Sequence, residues 1–240
     1  QRRMVLFSGN WNGEIQRQQI LAFVLRQGKH FECGKTYWTI AHLKWLKTLE
    51  LSALQRETLD EYLLTYEYLT EKISRFDERI EELASAERYK EKVKHMSCLI
   101  GIKTHTALSM IVEVGDFERF EKAPKFASFL GLVPSEDSSD ARVNRYSITK
   151  AGNCHLRRLL VEAAQSYTRG NVGHKSMALK QRQKRNSPEV IAHADKASER
   201  LRRRFYKMTL KKGVNRNVAT TAIARELACF IWGMMTEHVS

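Results

Sequence analysis

Proline is scarce in this chain: three occur in 240 residues, Pro124, Pro134 and Pro188. Proline removes a helix donor and clashes with the preceding turn, so the long stretches between these positions are free to be helical. Cysteine is scarce too, and Cys33, Cys98, Cys154 and Cys229 lie far apart with no C-x-x-C pair. That spacing argues against a zinc site or a disulfide framework and suits reduced thiols in a cytoplasm. No apolar run approaches the roughly 20 residues that span a bilayer. The opening "QRRMVLFSGNWNGEI" has basic residues but neither a long apolar stretch nor a small-residue cleavage site, so no secretory signal is expected. Acidic residues are the fourth shortage. With 27 Asp+Glu against 41 Lys+Arg the formal net charge is +14, which favours a polyanionic partner, nucleic acid first and an anionic membrane surface second.

What is present is helical texture. A hydrophobic share of 42% and a charged share of 28% fit a globular chain able to bury a core, as one large or two to three small domains. Ile15, Ile20, Phe23 and Val24 suit a short amphipathic helix over 15–27, ended by Gly28, and "CGKTYWTIAHLKWLKTL" reads as a second. Tyr62, Tyr66, Leu69, Ile73, Phe76, Ile80 and Leu83 then alternate steps of four and three, the a/d pattern of a coiled-coil helix, with acidic and basic residues on its other faces. Such a helix needs a partner, either another subunit or a hairpin within the chain. From Met96 the texture changes to "MSCLIGIKTHTALSMIVEV", where a turn at Gly101 resembles a helix-hairpin-helix element. Turns of this kind either contact a phosphate or simply pack. The last third is rich in cations, in "GHKSMALKQRQKRNSPEV" and "KASERLRRRFYKMTLKKG", and it closes on a helix whose stripe is Val218, Ile223, Leu227, Ile231 and Met234. The accumulated cations favour a nucleic-acid surface over a merely solvated face. The expected fold is mainly α: a long coiled-coil helix followed by a compact helical domain, with room for a small β-hairpin around "ARVNRYSIT".

The chemistry candidates lie in "GLVPSEDSSDARVNRYSITKAGNCHLRRLLVEAA", residues 131–164. Taken by itself "SEDSS" favours a polar loop in which Ser138 or Ser139 braces a turn. A second reading starts from the serines being followed by Arg142, Arg145, Lys150, Arg157 and Arg158. A serine hydroxyl can attack a phosphodiester when cations stabilise the transition state, and arginine's planar fork suits a phosphate. No His or carboxylate is compellingly placed beside the serines as a base: Asp137 and Asp140 are adjacent, but their charges would oppose a phosphate unless turned away. Leu156, Leu159 and Leu160 read as core.

This segment resembles the C-terminal transposase domain of a bacterial insertion-sequence family, insertion sequence 110/116/902, whose members are DEDD-type transposases, some described as bridge-RNA-guided serine recombinases. Three further stretches agree: "FVLRQGKHFECGKTYWTIAHLKWLKTLEL", "LIGIKTHTALSMIVEVGDFERFEKAPKFASFLGL" and "NVATTAIARELACFIWGMM". The resemblance covers nearly the whole chain from about Ile15.

The resemblance implies a nucleophilic serine in the loop after the Gly-Leu-x-Pro element. Here that position is Ser139, with Ser138 as fallback and Asp140 where the family usually has Gly. It implies nucleic-acid contacts from Arg142, Arg145, Thr149, Lys150, Asn153, Arg157 and Arg158, with Gly152 allowing a sharp turn and Asn153 capping the next helix. The implied organisation is linker helices and coiled coil over 1–97, the catalytic domain with its serine loop over 98–168, and basic terminal helices packing on it over 169–240. No cofactor is expected in this chain. A divalent metal, magnesium, is expected only in an N-terminal RuvC-like domain with Asp-Glu-Asp-Asp carboxylates, which this chain reads as lacking and would receive from another chain. "IGIKTHTA" also replaces the family's Pro-Gly-Ile-Gly turn. The implied partners are double-stranded DNA, a guide RNA and further copies of the chain through the coiled coil, in a bacterial cytoplasm at the nucleoid and without a membrane. The implied activity is DNA strand transfer, incomplete without the acidic domain. Two alternatives remain: a catalytically inactive transposon remnant that only binds nucleic acid, and an assembly module whose charge is incidental.

Overall fold

The computed structural model describes residues 10–32, 36–139 and 142–237, and among these the chain forms ten α-helices and one two-stranded hairpin. The mainly α expectation is borne out. The chain divides into two compact units, residues 1–79 and 80–240.

In the first unit, α1 (Asn10–Arg26) ends at Gly28, whose left-handed φ of 68° lets the chain reverse. Helix α2 (Ile40–Thr48) starts at Thr39, whose hydroxyl accepts from the His42 amide at 3.3 Å. Its far end is closed by another element. Arg56, on α3 (Ala53–Ser85), donates to the carbonyls of Leu46, Lys47 and Leu49 at 3.0, 3.1 and 3.2 Å, which the helix itself leaves without partners. Ile20, Phe23 and Val24 of α1, Leu46 of α2 and Leu59, Leu63 and Tyr66 of α3 form one buried cluster. Each such side chain contributes roughly 1.5–3 kcal/mol on leaving water. The boundary between the units falls within α3.

The heptad positions therefore have two fates. Tyr66 is buried in this cluster and Tyr62 packs against it, so the early heptads find their partner inside the chain. Phe76 stays 50% exposed, and with Leu64 (59%) and Tyr68 (53%) it marks a separate stripe of α3 in four-residue multiples.

His42 has no exposed surface. The Trp38 amide donates to its Nδ1 at 3.2 Å, and the rings of Phe31, Tyr37, Trp38 and Trp45 stand 4.9, 5.1, 5.2 and 5.7 Å away. Burial pushes its pKa below the usual 6.5 and keeps the imidazole neutral. The unfolded chain then binds more protons than the folded one once pH falls below the unfolded value. Stability from this site is accordingly full above pH 6.5 and declines below it. Tryptophan emission during urea unfolding should show a midpoint that drops as pH falls below about 6.5, and His42→Gln should flatten that dependence.

The second unit holds α4 (Glu87–Met96), α5 (Thr104–Val114), α6 (Ala123–Phe129), β1 (Pro134–Ser139), β2 (Arg142–Ile148), α7 (Cys154–Gln165), α8 (Met177–Gln183), α9 (Pro188–Tyr206) and α10 (Arg216–Met235). Its axis is α10, which packs on α4, α6, α7 and α9. The predicted stripe is largely correct: Ile223, Leu227, Ile231 and Met234 are buried, whereas Val218 is 59% exposed. By length and composition α10 could cross a membrane, contrary to the expectation that no run comes near this. Half of its apolar window is buried within the protein, and it carries Arg225 and Glu226, the latter paired with Arg200 and Arg204 of α9. Here it acts as a core helix. The turn at Gly101 is explained by packing: φ is 80°, and a Cβ there would lie 2.4 Å from the Ala163 carbonyl oxygen of α7.

Candidate nucleic-acid interface

The serine segment forms one arm of a hairpin. Strand β1 runs antiparallel to β2, with Ser139 opposite Arg142, Ser138 opposite Val143 and Glu136 opposite Arg145, and with a register shift between Pro134 and Glu136. The hairpin expected around "ARVNRYSIT" is thus present, and it reaches back to include the serines. Asp140 lies outside the described residues.

The hairpin's root is fixed by backbone bonds. Thr149 donates to Val133 at 2.9 Å, Lys150 to Gly131 at 3.2 Å and Asn153 to Phe129 at 3.2 Å. The return passes through two unusual residues. Lys150 has φ 54°, uncommon for a side chain with a Cβ, and Gly152 has φ 149°. A Cβ on Gly152 would sit 2.3 Å from the Phe129 carbonyl oxygen, so only glycine lets the two segments meet. Asn153 then caps α7, its side-chain oxygen accepting from the Leu156 amide at 3.0 Å. The expected cap and sharp turn are both present. Leu156, Leu159 and Leu160 are buried, as core.

Glu113 of α5 completes this turn. One carboxylate oxygen accepts from Asn153 Nδ2 at 2.8 Å and the other meets His155 Nδ1. A negative charge at the start of α7 also complements the helix dipole. Neither residue stood out in the sequence, because Glu113 is 40 residues from Asn153 and 42 from His155. The one local hint is a carboxylate at the end of an otherwise apolar helical run.

The predicted cations separate. Lys150 and Arg158 are exposed, with Arg158 3.8 Å from Glu162. Arg157 is half-buried, and its Nη1 donates to the carbonyls of Leu130 at 3.0 Å and Lys150 at 3.1 Å, stapling the turn from below. Arg142 and Arg145 lie on β2. Further exposed cations come from α9 and the π-helical turn after it: Arg203, Arg204, Lys207, Lys211 and Lys212. Arg169 and Arg216 line a recess of about 240 Å³ with Gln165 and Asn217, Arg216 being held by the Thr168 hydroxyl at 2.9 Å.

Two other kinds of chemistry find little support among the described residues. No group of three or more His, Cys, Asp or Glu there is placed to hold a metal ion. Burial pushes the Cys98 thiol up to about 11, so at neutral pH it is protonated and a poor nucleophile.

Residues 94–178, which contain the hairpin, the glycine turn and α7, match the family described as "Transposase IS116/IS110/IS902 family". Over these residues the chain is similar to the members of that family. The chain is 34% identical, over 92% of its own length and 53% of the relative's, to "Putative transposase y4qE" of Sinorhizobium fredii. It is 29% identical, over 82% of its length and 57% of the relative's, to "Transposase for insertion sequence element IS1533" of Leptospira borgpetersenii. With "Transposase for insertion sequence element IS1111A" of Coxiella burnetii it shares 30% identity over 66% of its length and 36% of the relative's. The chain spans about half the length of the first two of these curated relatives.

The glycine turn makes a direct prediction. Gly152→Ala should cost at least about 2 kcal/mol, because contact and backbone strain add. Gly213→Ala is the control: φ there is 60° but nothing lies within 4 Å of a Cβ, so it pays backbone strain alone, about 1–2 kcal/mol. Thermal unfolding of both variants should place Gly152→Ala clearly lower, and equal melting temperatures would show that the contact with Phe129 contributes nothing.

Proposed function

We infer that this chain acts in DNA transposition, binding DNA through the second unit and presenting Ser139, with Ser138 as the neighbouring candidate, as a nucleophile toward a phosphodiester. The match of residues 94–178 to the transposase family carries this reading, because that stretch includes the serine strand and the turn at its root. In the step envisaged, a bond forms between Ser139 Oγ and phosphorus, and the bond from phosphorus to the deoxyribose oxygen breaks. The serine loses its proton to a base and the leaving oxygen gains one. A hydroxyl of a second strand then attacks the phosphoserine, restoring the serine and joining the strands. Arg142, Arg145, Lys150 and Arg158 neutralise phosphate charge around this event, and Thr149 and Asn153 flank it.

Arg157 contributes differently, by holding the Lys150 carbonyl, so its loss would misplace the cradle as well as remove charge. The Asp-Glu-Asp-Asp carboxylates, their magnesium and a guide RNA belong to this proposal as further parts of the machinery, in a bacterial cytoplasm. Self-association would use the exposed stripe of α3, Leu64, Tyr68 and Phe76, rather than the early heptad positions, which pack within the chain.

Asp140 beside the candidate nucleophile favours a second reading, a nucleic-acid-binding remnant without cleavage. A suicide DNA substrate with a nick beside the scissile phosphate separates the two when supplied with a longer relative that carries the acidic carboxylates. The strand-transfer reading expects a protein–DNA adduct, lost in Ser139→Ala and mapped by mass spectrometry to this hairpin. An adduct that persists in Ser139→Ala and Ser138→Ala rejects the serine assignment. DNA binding without any adduct, falling steeply as salt rises, leaves the remnant reading standing.

A further inference from the structure

A recess of about 480 Å³ opens on the surface of the second unit, lined by Arg119, Phe120, Glu121, Lys125, Ser128 and Phe129. It is built around cation and ring. The guanidinium carbon of Arg119 lies 4.6 Å from the centroid of Phe120 and 4.8 Å from that of Phe129. The two rings are themselves 5.3 Å apart and inclined at 47°. Beneath them the fully buried Phe126 ring touches both, at 5.3 and 6.4 Å. The core is therefore closed at Phe126, and Phe120 and Phe129 remain only half-buried above it.

The platform is also held still. The Trp232 indole N–H, from α10, donates to the carbonyls of Phe117 and Phe120 at 3.2 Å each. On the other side, the Phe129 carbonyl accepts the Asn153 amide at 3.2 Å and closes against Gly152. Phe129 thus belongs to two features at once: its ring lines the recess and its backbone anchors the root of the serine hairpin.

The geometry points to this recess as a binding site for one unpaired nucleotide. A base has a π-face whatever its identity, and both aromatic rings and a guanidinium plane stack on it. Here the two are already assembled into one surface. The rim carries two cations, Arg119 and Lys125, against the single carboxylate of Glu121, which suits a base flanked by phosphates. Glu121 and the Ser128 hydroxyl are placed on the lining where they can meet amino and ring-nitrogen edges. A paired base has both faces covered by its neighbours in the duplex, so the site selects unpaired nucleotides. Its position next to the Lys150–Asn153 turn would hold a splayed base beside the strand being processed. The inference rests on the nucleic-acid reading above but goes beyond it in naming a site, a ligand class and a strand state.

The test uses the full chain and oligonucleotides of about 12 residues, within the usual range of single-strand site sizes, carrying 2-aminopurine. Single-stranded DNA, single-stranded RNA and a fully paired DNA duplex form three arms, read by anisotropy and by 2-aminopurine emission. Wild type is expected to quench the probe in at least one single strand. Arg119→Ala and Phe129→Leu should each weaken that binding about 5- to 100-fold and abolish the quench, as loss of one stacking contact predicts. Duplex affinity should change less than about twofold, since phosphate contacts elsewhere dominate it. Arg119 is exposed, so its variant keeps the test valid if Phe129→Leu folds poorly. The larger loss between the DNA and RNA arms identifies which strand the site serves. Single-strand binding and quenching unchanged in both variants would overturn the site while leaving nucleic-acid binding intact. Wild type binding none of the three would overturn the nucleic-acid reading, and this inference with it.

Discussion

The second unit's candidate site depends on one steric constraint: the Phe129 carbonyl oxygen occupies the space where any side chain at position 152 would be. Because that space is empty, the end of α6 and the start of α7 approach backbone to backbone. The Asn153 amide can then reach the same carbonyl. From this contact α7 receives its direction, Asn153 its capping geometry, and Glu113 its two partners on the far side. The hairpin inherits its root from the same place. A two-stranded ribbon is at best marginally stable alone, and among the described residues β1 pairs with β2 only. Its position is therefore set by the bonds from Thr149 to Val133 and from Lys150 to Gly131.

A second theme is how the excess of cations is distributed. A net charge of +14 suggests a uniformly basic surface, yet several arginines serve the backbone. Arg56 closes α2, Arg157 holds Leu130 and Lys150, Arg182 reaches the Ser97 carbonyl, and the buried Arg202 holds Asn171 and His174. The guanidinium suits this work because its donors form a fixed fork that can meet several carbonyls of an irregular segment at once. The exposed cations include Lys150, Arg158, Arg203, Arg204, Lys207, Lys211 and Lys212. Electrostatic contact with a polyanion falls to the exposed cations, among which Arg119 and Lys125 also stand, and composition alone cannot say which arginines belong to them.

The same distinction explains what the sequence disclosed. The helices were legible because their signals are local: scarce proline, periodic apolar residues, and a cap such as Asn153 next to the turn it closes. The glycine turn and the burial of Leu156, Leu159 and Leu160 were legible for the same reason. The heptad run in α3 was legible as a pattern but not in its use, since period alone does not say whether Tyr62 and Tyr66 meet another chain or α1 and α2. Glu113 with His155 was hidden by the 42 residues between them. The Arg119 platform was hidden because sequence does not say which of Phe120, Phe126 and Phe129 is fully inside, and the fold shows that Phe126 alone is.

The Glu113–His155 pair bears on where a serine nucleophile would send its proton. A glutamate orienting a histidine is the arrangement by which many enzymes equip a general base, and its presence next to the transposase turn invites that role. The surroundings argue otherwise. His155 Nε2, the nitrogen that would have to accept the proton, is enclosed and has no hydrogen-bond partner. The carboxylate is already engaged by both Asn153 and His155. The pair therefore fixes the junction of α5 with α7. With Gly152, Asn153 and Arg157, the pair secures the root from which the hairpin projects.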